Sequence, residues 1–235
     1  RAAEFCRGLV ERGVDVHWNA TIEIETVVRY RAATLDLLRD SGCTLLWLGA
    51  EAGTRETQER IKKHIEIEDI PRALGALYER GIVAGTFWII GYPGEDAASM
   101  EATLRQAARV KLLFPGSASE VYPFRAIPGT EDWDAARALG GDLPRTFREW
   151  GECFEWKWHT SGTPLPAGVA RTWERYSRTA AFYDGFVTEG SGFARRAMAR
   201  LARWRLARHD YRLPIEHKLF DAWVRRSGRA AWAAR

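Results

Sequence analysis

Carboxylates recur where the apolar runs of this chain give out. Glu23 follows Thr21-Ile22, Glu51 lies inside Gly49-Ala50-Glu51-Ala52-Gly53, and Glu95 closes Gly91-Tyr92-Pro93-Gly94-Glu95. A fourth run leads through Tyr122-Pro123-Phe124 to Ile127-Pro128-Gly129-Thr130. An ionised carboxylate only accepts hydrogen bonds, so it suits ribose hydroxyls or an ammonium group, and glycine beside it leaves backbone bare enough for a planar base to approach. That combination suits an amine- and hydroxyl-bearing cofactor. A plainer alternative stays open at each position, with Glu51 capping the next helix and residues 91–95 forming only a turn. The coincidence of these motifs in a fixed order, with carboxylates at neighbouring strand ends, is what favours the cofactor.

The runs that must position these residues have the composition of strands. VDVHWNATI, TLLWLGAEA, VAGTFWIIGY and SASEVYPF are short, β-branched and aromatic, as expected of strands buried on both faces. Three of them follow a helix-like stretch ended by glycine: Glu11-Arg12-Gly13, Asp40-Ser41-Gly42 and Glu79-Arg80-Gly81. Glycine stops a helix cheaply because it accepts the left-handed conformation. The intervening segments show helical spacing of Leu35, Leu37 and Leu38, then of Leu74 and Leu77, and ASMEATLRQAARVKLL continues the pattern. Recurring helix–glycine–strand units imply an α/β chain with a parallel sheet. A GxGxxG turn, a Walker loop and a GxSxG elbow are all absent, which argues against a doubly wound dinucleotide fold and favours a barrel or partial barrel, whose chemistry sits at the C-terminal ends of its strands.

Composition narrows the classes further. The 235 residues are 46% hydrophobic, enough for a sizeable core. Cys6, Cys43 and Cys153 are too scattered for a disulfide framework or a zinc clip, which points to a reduced, cytoplasmic protein. Cys43, at the glycine turn, is expected to be a buried structural thiol. The histidines at 17, 64, 159, 209 and 217 show no paired metal spacing, and no window is apolar enough for a membrane span. Residues 190–235 hold 12 basic and 3 acidic residues, so the basic balance belongs to the tail. Such a tail either contacts nucleic acid or a membrane surface, or is a solvated helix whose arginines pair with the acidic body. Trp18, Trp47 and Trp88 fall at matching places on successive strands, as core or as a substrate-stacking group. The aromatic segment 147–166, with Trp150, Trp156 and Trp158, reads as a loop or short extended piece over the barrel mouth, or as a patch docking the tail helices. From Gly168 onward the pattern is helical. The chain opens on Arg1 inside a helix-like segment, as a piece of a longer protein would.

Taken in order, LLRDSGCTLLWLGAEAGTRETQERIKK, ALYERGIVAGTFWIIGYPGED and PFRAIPGT resemble the second half of a radical S-adenosylmethionine (SAM) enzyme. The likeness is strongest to the cobalamin-binding branch typified by anaerobic magnesium-protoporphyrin monomethyl ester cyclase and related methyltransferases, and it covers about residues 1–131. The resemblance implies the C-terminal portion of a partial (β/α)6 TIM-like barrel, strands three to six, followed by an aromatic lid segment and basic helical extension over 132–235. It implies a 4Fe-4S cluster on a CxxxCxxC loop upstream of this chain, which itself lacks that motif. Carried over, Glu23, Glu51, Lys63, Gly91, Pro93, Gly94, Tyr122 and Phe124 fall at SAM-facing positions. Glu23 is a polar group near the ribose, Glu51 lies near the sugar and methionine, and Lys63 can meet the carboxylate. Gly91, Pro93 and Gly94 run along the adenine, with Tyr122 and Phe124 as walls. Where the branch commonly has Arg-x-Asp, this chain has Thr21-Ile22-Glu23.

The resemblance further implies reductive SAM cleavage, modification of a small organic substrate by methylation, cyclisation or a related reaction, an electron donor such as flavodoxin or ferredoxin, and cobalamin as a further cofactor. An RNA-modifying enzyme, suggested by the basic tail, and a cluster-less barrel serving as a binding partner are the alternatives.

Overall fold

The computed structural model describes residues 1–141, 143–154, 165–188 and 192–227. Strands β1 (Trp18–Glu23), β2 (Cys43–Glu51), β3 (Val83–Ile90) and β4 (Ala118–Pro123) form one parallel sheet in the order β1-β2-β3-β4. Helix α1 (Ala2–Glu11) precedes it. Helices α2 (Ile24–Arg29) and α3 (Ala32–Asp40) make the first crossover, α4 (Arg55–Arg60) and α5 (Asp69–Tyr78) the second, and α6 (Ala97–Leu113) the third. The order never reverses, so the sheet lacks the switch point of a doubly wound fold.

Turn chemistry sets the register. Gly13, Gly42 and Gly81 all have positive φ, as expected of glycines that stop helices. At Gly42 a Cβ would stand 1.8 Å from the Val16 carbonyl oxygen, so no side chain fits. The Gly42 carbonyl then accepts from Trp18 N at 3.0 Å and begins the β1–β2 ladder. The first strand starts there and not at Val14, and both Val14 and Val16 are exposed.

Alternation along the strands separates two faces. Leu46, Leu48 and Ala50, then Ala84, Trp88 and Ile90, then Val121 are buried with Leu35 and Leu38 of α3, Ile70, Leu74 and Leu77 of α5, and Leu104 and Ala107 of α6. Each such leucine or isoleucine contributes about 2 kcal/mol by leaving water. Polar groups beneath the sheet bond to one another: Trp88 Nε1 donates to Thr86 Oγ1 and Ser119 Oγ at 3.0 Å, and Ser119 Oγ donates to the Ala107 carbonyl at 2.9 Å. On the opposite face Asn19, Thr21 and Glu23 are exposed, and Leu45, Trp47, Gly49 and Glu51 are half-buried. The strands are therefore buried on one face, not on both.

The three tryptophans are not level. Trp18 pairs with Cys43, Trp47 with Thr21 and Gly85, and Trp88 with Glu51 and Val121. Trp18 and Trp88 pack into the helix-side core, while Trp47 stacks on Phe87 across the other face. Spacing from a preceding glycine mispredicted them because the strands start at different distances from it.

Beyond the sheet run α7 (Glu131–Ala138), α8 (Phe147–Phe154), α9 (Ala167–Thr188), α10 (Phe193–Arg208) and α11 (Ile215–Ser227). The expected loop over 147–166 is helical from Phe147 to Phe154. A capping box starts it: Thr146 Oγ1 accepts from Glu149 N at 3.2 Å, and Glu149 Oε2 accepts from Thr146 N at 3.1 Å. Trp150 stacks on Trp133 of α7 at 5.8 Å. Trp156, Trp158 and His159 lie outside the described residues.

Helix α9 is fastened to the terminal strand β4, with Trp173 Nε1 and Tyr176 OH donating at 2.8 Å to the carbonyls of Val121 and Ser119. Within the tail Arg205 pairs with Glu216 and Arg212 with Asp210, while His209 pairs with Glu101 of α6 and Asp221 with Arg178 of α9. Among the described residues no helix is long and apolar enough to cross a membrane.

Candidate functional site

Parallel pairing brings all four strand ends to one edge of the sheet, and two carboxylates meet there. Glu23 ends β1 and Glu51 ends β2. Lys63, in the loop after α4, reaches back between them. Its Nζ lies 3.1 and 3.3 Å from the Glu23 carboxylate oxygens and 3.8 Å from Glu51 Oε1. Burial pushes the Glu51 carboxyl above the ordinary range; Lys63 opposes the rise and the neighbouring Glu23 charge adds to it.

Glu51 is held in an unusual conformation. Its φ is +60°, a region that non-glycine residues rarely occupy, and the β2–β3 register shifts between Gly49 and Glu51. The side chain folds back over Gly49, where an added Cβ would lie 2.5 Å from Glu51 Oε1. Gln58 over-determines this kink: its Nε2 donates to the carbonyls on either side, Ala50 at 2.6 Å and Ala52 at 2.7 Å. Gln58 is buried, and its own Oε1 has no hydrogen-bond partner. Thr54, not Glu51, caps α4 by accepting from Thr57 N, so the capping alternative for Glu51 is removed.

The next strand end is a pinned turn. Gly91 and Gly94 have φ of +86° and +77°. Glu95 Oε2 accepts from Gly91 N at 2.8 Å and Tyr92 N at 3.1 Å, while Ser99 Oγ donates to its Oε1 at 2.9 Å. Ser99 also meets Thr57 Oγ1 at 2.8 Å and Thr54 Oγ1 at 3.2 Å, so one hydroxyl network ties this turn to α4. Arg60 completes the tie by donating to the Pro93 carbonyl at 2.7 Å. Burial raises the Tyr92 phenol pKa, and the Glu51 carboxylate raises it further, an electrostatic link between the two strand ends. Leu165 packs over Gly91, where a Cβ would meet it at 2.7 Å.

Glu23, Glu51 and Lys63 thus come together, with Gly91, Pro93 and Gly94 one strand further along. Tyr122 and Phe124 part company. Tyr122 lies on the open face, its hydroxyl donating to Glu120 and its ring 6.1 Å from Phe87. Phe124 sits in a separate apolar cluster with Tyr92, Ala126 and Ala136. Sequence reasoning passed over Gln58, Arg60 and Ser99. A glutamine, a threonine pair and an arginine directly after a glycine-flanked carboxylate were the available signal for two of them.

The thiols stand apart. Cys6 and Cys43 are free and buried in the helix-side core, and burial pushes the Cys43 thiol up to about 11. The side chain of Cys153 lies outside the described residues. Among the described residues no three metal-ligating side chains converge.

No family model matches the chain. It is 31% identical over 104 residues to the anaerobic magnesium-protoporphyrin IX monomethyl ester cyclase of Rubrivivax gelatinosus, covering 44% of this chain and 19% of that protein. It is 25% identical over 150 residues to an uncharacterized methyltransferase of Pyrococcus horikoshii, covering 64% of this chain and 31% of the relative. The chain therefore spans less than a third of either curated relative. Among solved structures, the radical S-adenosylmethionine methyltransferase TsrM from Kitasatospora setae, with cobalamin and a 4Fe-4S cluster bound, aligns with 86% of this chain and 49% of its own. That alignment has a TM-score of 0.51 at 16% identity, a likeness of fold. In sequence the chain is similar to the anaerobic cyclase and to the methyltransferase, and in fold to a radical SAM methyltransferase.

Proposed function

We propose that residues 1–131 form strands three to six of a partial (β/α)6 barrel and serve as the SAM-facing wall of a radical SAM enzyme, with residues 132–235 as its lid segment and helical extension. One observation carries this reading: Lys63 bridges two carboxylates at neighbouring strand ends, beside a turn whose glycines are fixed from behind. The donor set fits SAM. Glu23 and Glu51 offer acceptors to ribose hydroxyls or the methionyl ammonium, Lys63 offers a cation to the methionyl carboxylate, and Gly91, Pro93 and Gly94 offer a thin backbone wall to the adenine. Tyr122 and Phe124 are assigned to the walls beyond it. SAM, when bound, supplies the group that reacts; the residues of this chain bind and orient it. Gln58 and Glu95 act on it only by holding the two turns still.

A 4Fe-4S cluster does not fit the described residues, because both described thiols are buried away from the strand-end edge. Its ligands are assigned to residues outside them. Modification of a small organic substrate, use of cobalamin and an electron donor of the flavodoxin or ferredoxin class, and a cytoplasmic setting extend the reading by likeness to the relatives. Equilibrium dialysis of SAM against the anaerobically reconstituted full-length protein tests it. Glu51→Gln should weaken SAM binding about tenfold, the loss of one charge-assisted contact, with little change in melting temperature. Unchanged affinity would remove Glu51 from the site.

A further inference from the structure

A second concave site lies far along the chain from the strand-end carboxylates, where α6, the start of α9 and the end of α10 meet. The cavity has a volume of about 700 Å³, within the range of small-molecule sites. Arg171 and Arg175 enter it from the first turns of α9, and Arg208 and Arg212 flank the turn that ends α10. Its acidic groups are two, and both are engaged: Glu101 pairs with His209 at 2.9 Å, and Asp210 is held by Arg212. Arg175 donates to the Tyr211 carbonyl at 3.3 Å. Arg171 and Arg208 have no carboxylate partner among the described residues, so neither charge is neutralised by an acidic group in this concavity, although the Arg208 guanidinium lies 5.6 Å from the Trp204 ring centroid.

The wall is built, not incidental. His209 takes φ +49° at the end of α10, a left-handed conformation unusual for a residue with a side chain, and this turns its ring onto Glu101 and edge-on to Tyr211 at 5.0 Å. Arg205, itself buried, donates to the carbonyls of Asp210, Arg212 and Leu213 and so fixes the loop from behind. Tyr211, 4% exposed, belongs to the wall of the cavity and anchors it to the core, its ring edge-on to Tyr176 at 6.3 Å. A fixed loop and guanidinium donors without carboxylate partners are what recognition of a multiply charged oxyanion requires.

We propose that this cavity binds a phosphate-bearing small molecule through Arg171 and Arg208, with Arg175 adding a third guanidinium beside them. The test is calorimetric titration of the purified protein with inorganic pyrophosphate, compared with sulfate at matched ionic strength. Saturable binding of pyrophosphate is expected, weakened about tenfold or more in an Arg171→Gln/Arg208→Gln double variant. Both arginines are exposed, so the variant should fold, which circular dichroism checks. Arg200→Gln, which removes the same charge from an exposed position on α10 outside the cavity, should bind as the parent does. Pyrophosphate binding no better than sulfate, or undiminished in the double variant, would overturn the proposal. Tighter binding of a single-stranded RNA oligonucleotide, weakened equally by Arg200→Gln, would overturn it in favour of a diffuse nucleic-acid surface.

Discussion

The two faces of the sheet are made from the same four strands and obey different rules. On the helix side, Leu46, Leu48, Ala50, Trp88 and Ile90 are buried, and their polar neighbours bond to one another. On the other side, Trp47 lies flat on Phe87 at 4.5 Å, directly over Gly85, where a Cβ would come within 2.2 Å of the indole. That face ends in Glu23 and in the kinked Glu51. One face is optimised for packing. The other gathers like charges at neighbouring strand ends around Lys63 and holds a left-handed glutamate, the features on which the proposed SAM contact rests.

Substitutions on the two faces should therefore separate. Leu48→Ala, which empties a fully buried position, is expected to cost about 3 kcal/mol in denaturant unfolding. Glu51→Gln should show the opposite signature, the tenfold loss of SAM affinity at near-normal stability. Trp47→Ala removes a half-exposed ring and should cost only about 1 kcal/mol; a cost equal to that of Leu48→Ala would mean the open face is packed as tightly as the other.

The smallest effect expected is in pH dependence. Burial raises the Glu51 pKa, so between the ordinary carboxylate value and the raised one the folded state holds more proton than the unfolded state. The associated stability is present in acid and lost as pH rises through the raised value. Glu51→Gln has no such loss, so its melting temperature relative to the parent should climb as pH rises from the ordinary carboxylate value through the raised one. A flat difference would mean that Glu51 titrates as a solvated carboxylate.

The strand–helix alternation was legible in the sequence because glycine at positions 13, 42 and 81 has one cheap use, and period-2 burial follows from pleat geometry. The meeting of Glu23, Glu51 and Lys63 was legible through family likeness, since their spacing in sequence does not fix how far Lys63 folds back. Register was not legible: Trp18, Trp47 and Trp88 seemed level until pairing assigned them different partners. The α8 helix was missed because its aromatic content outweighed the Thr146–Glu149 capping box. Gln58 was hidden for a different reason. A helical glutamine signals nothing until the carbonyls of Ala50 and Ala52 are seen beneath it.

Hydrogen exchange of the reconstituted full-length protein, with and without SAM, tests the central claim most directly. SAM should slow exchange in residues 49–54 and 91–95, the two pinned turns at the carboxylate edge, and leave the helix-side segments unchanged. Protection absent from both turns, or confined to α9 to α11, would contradict it.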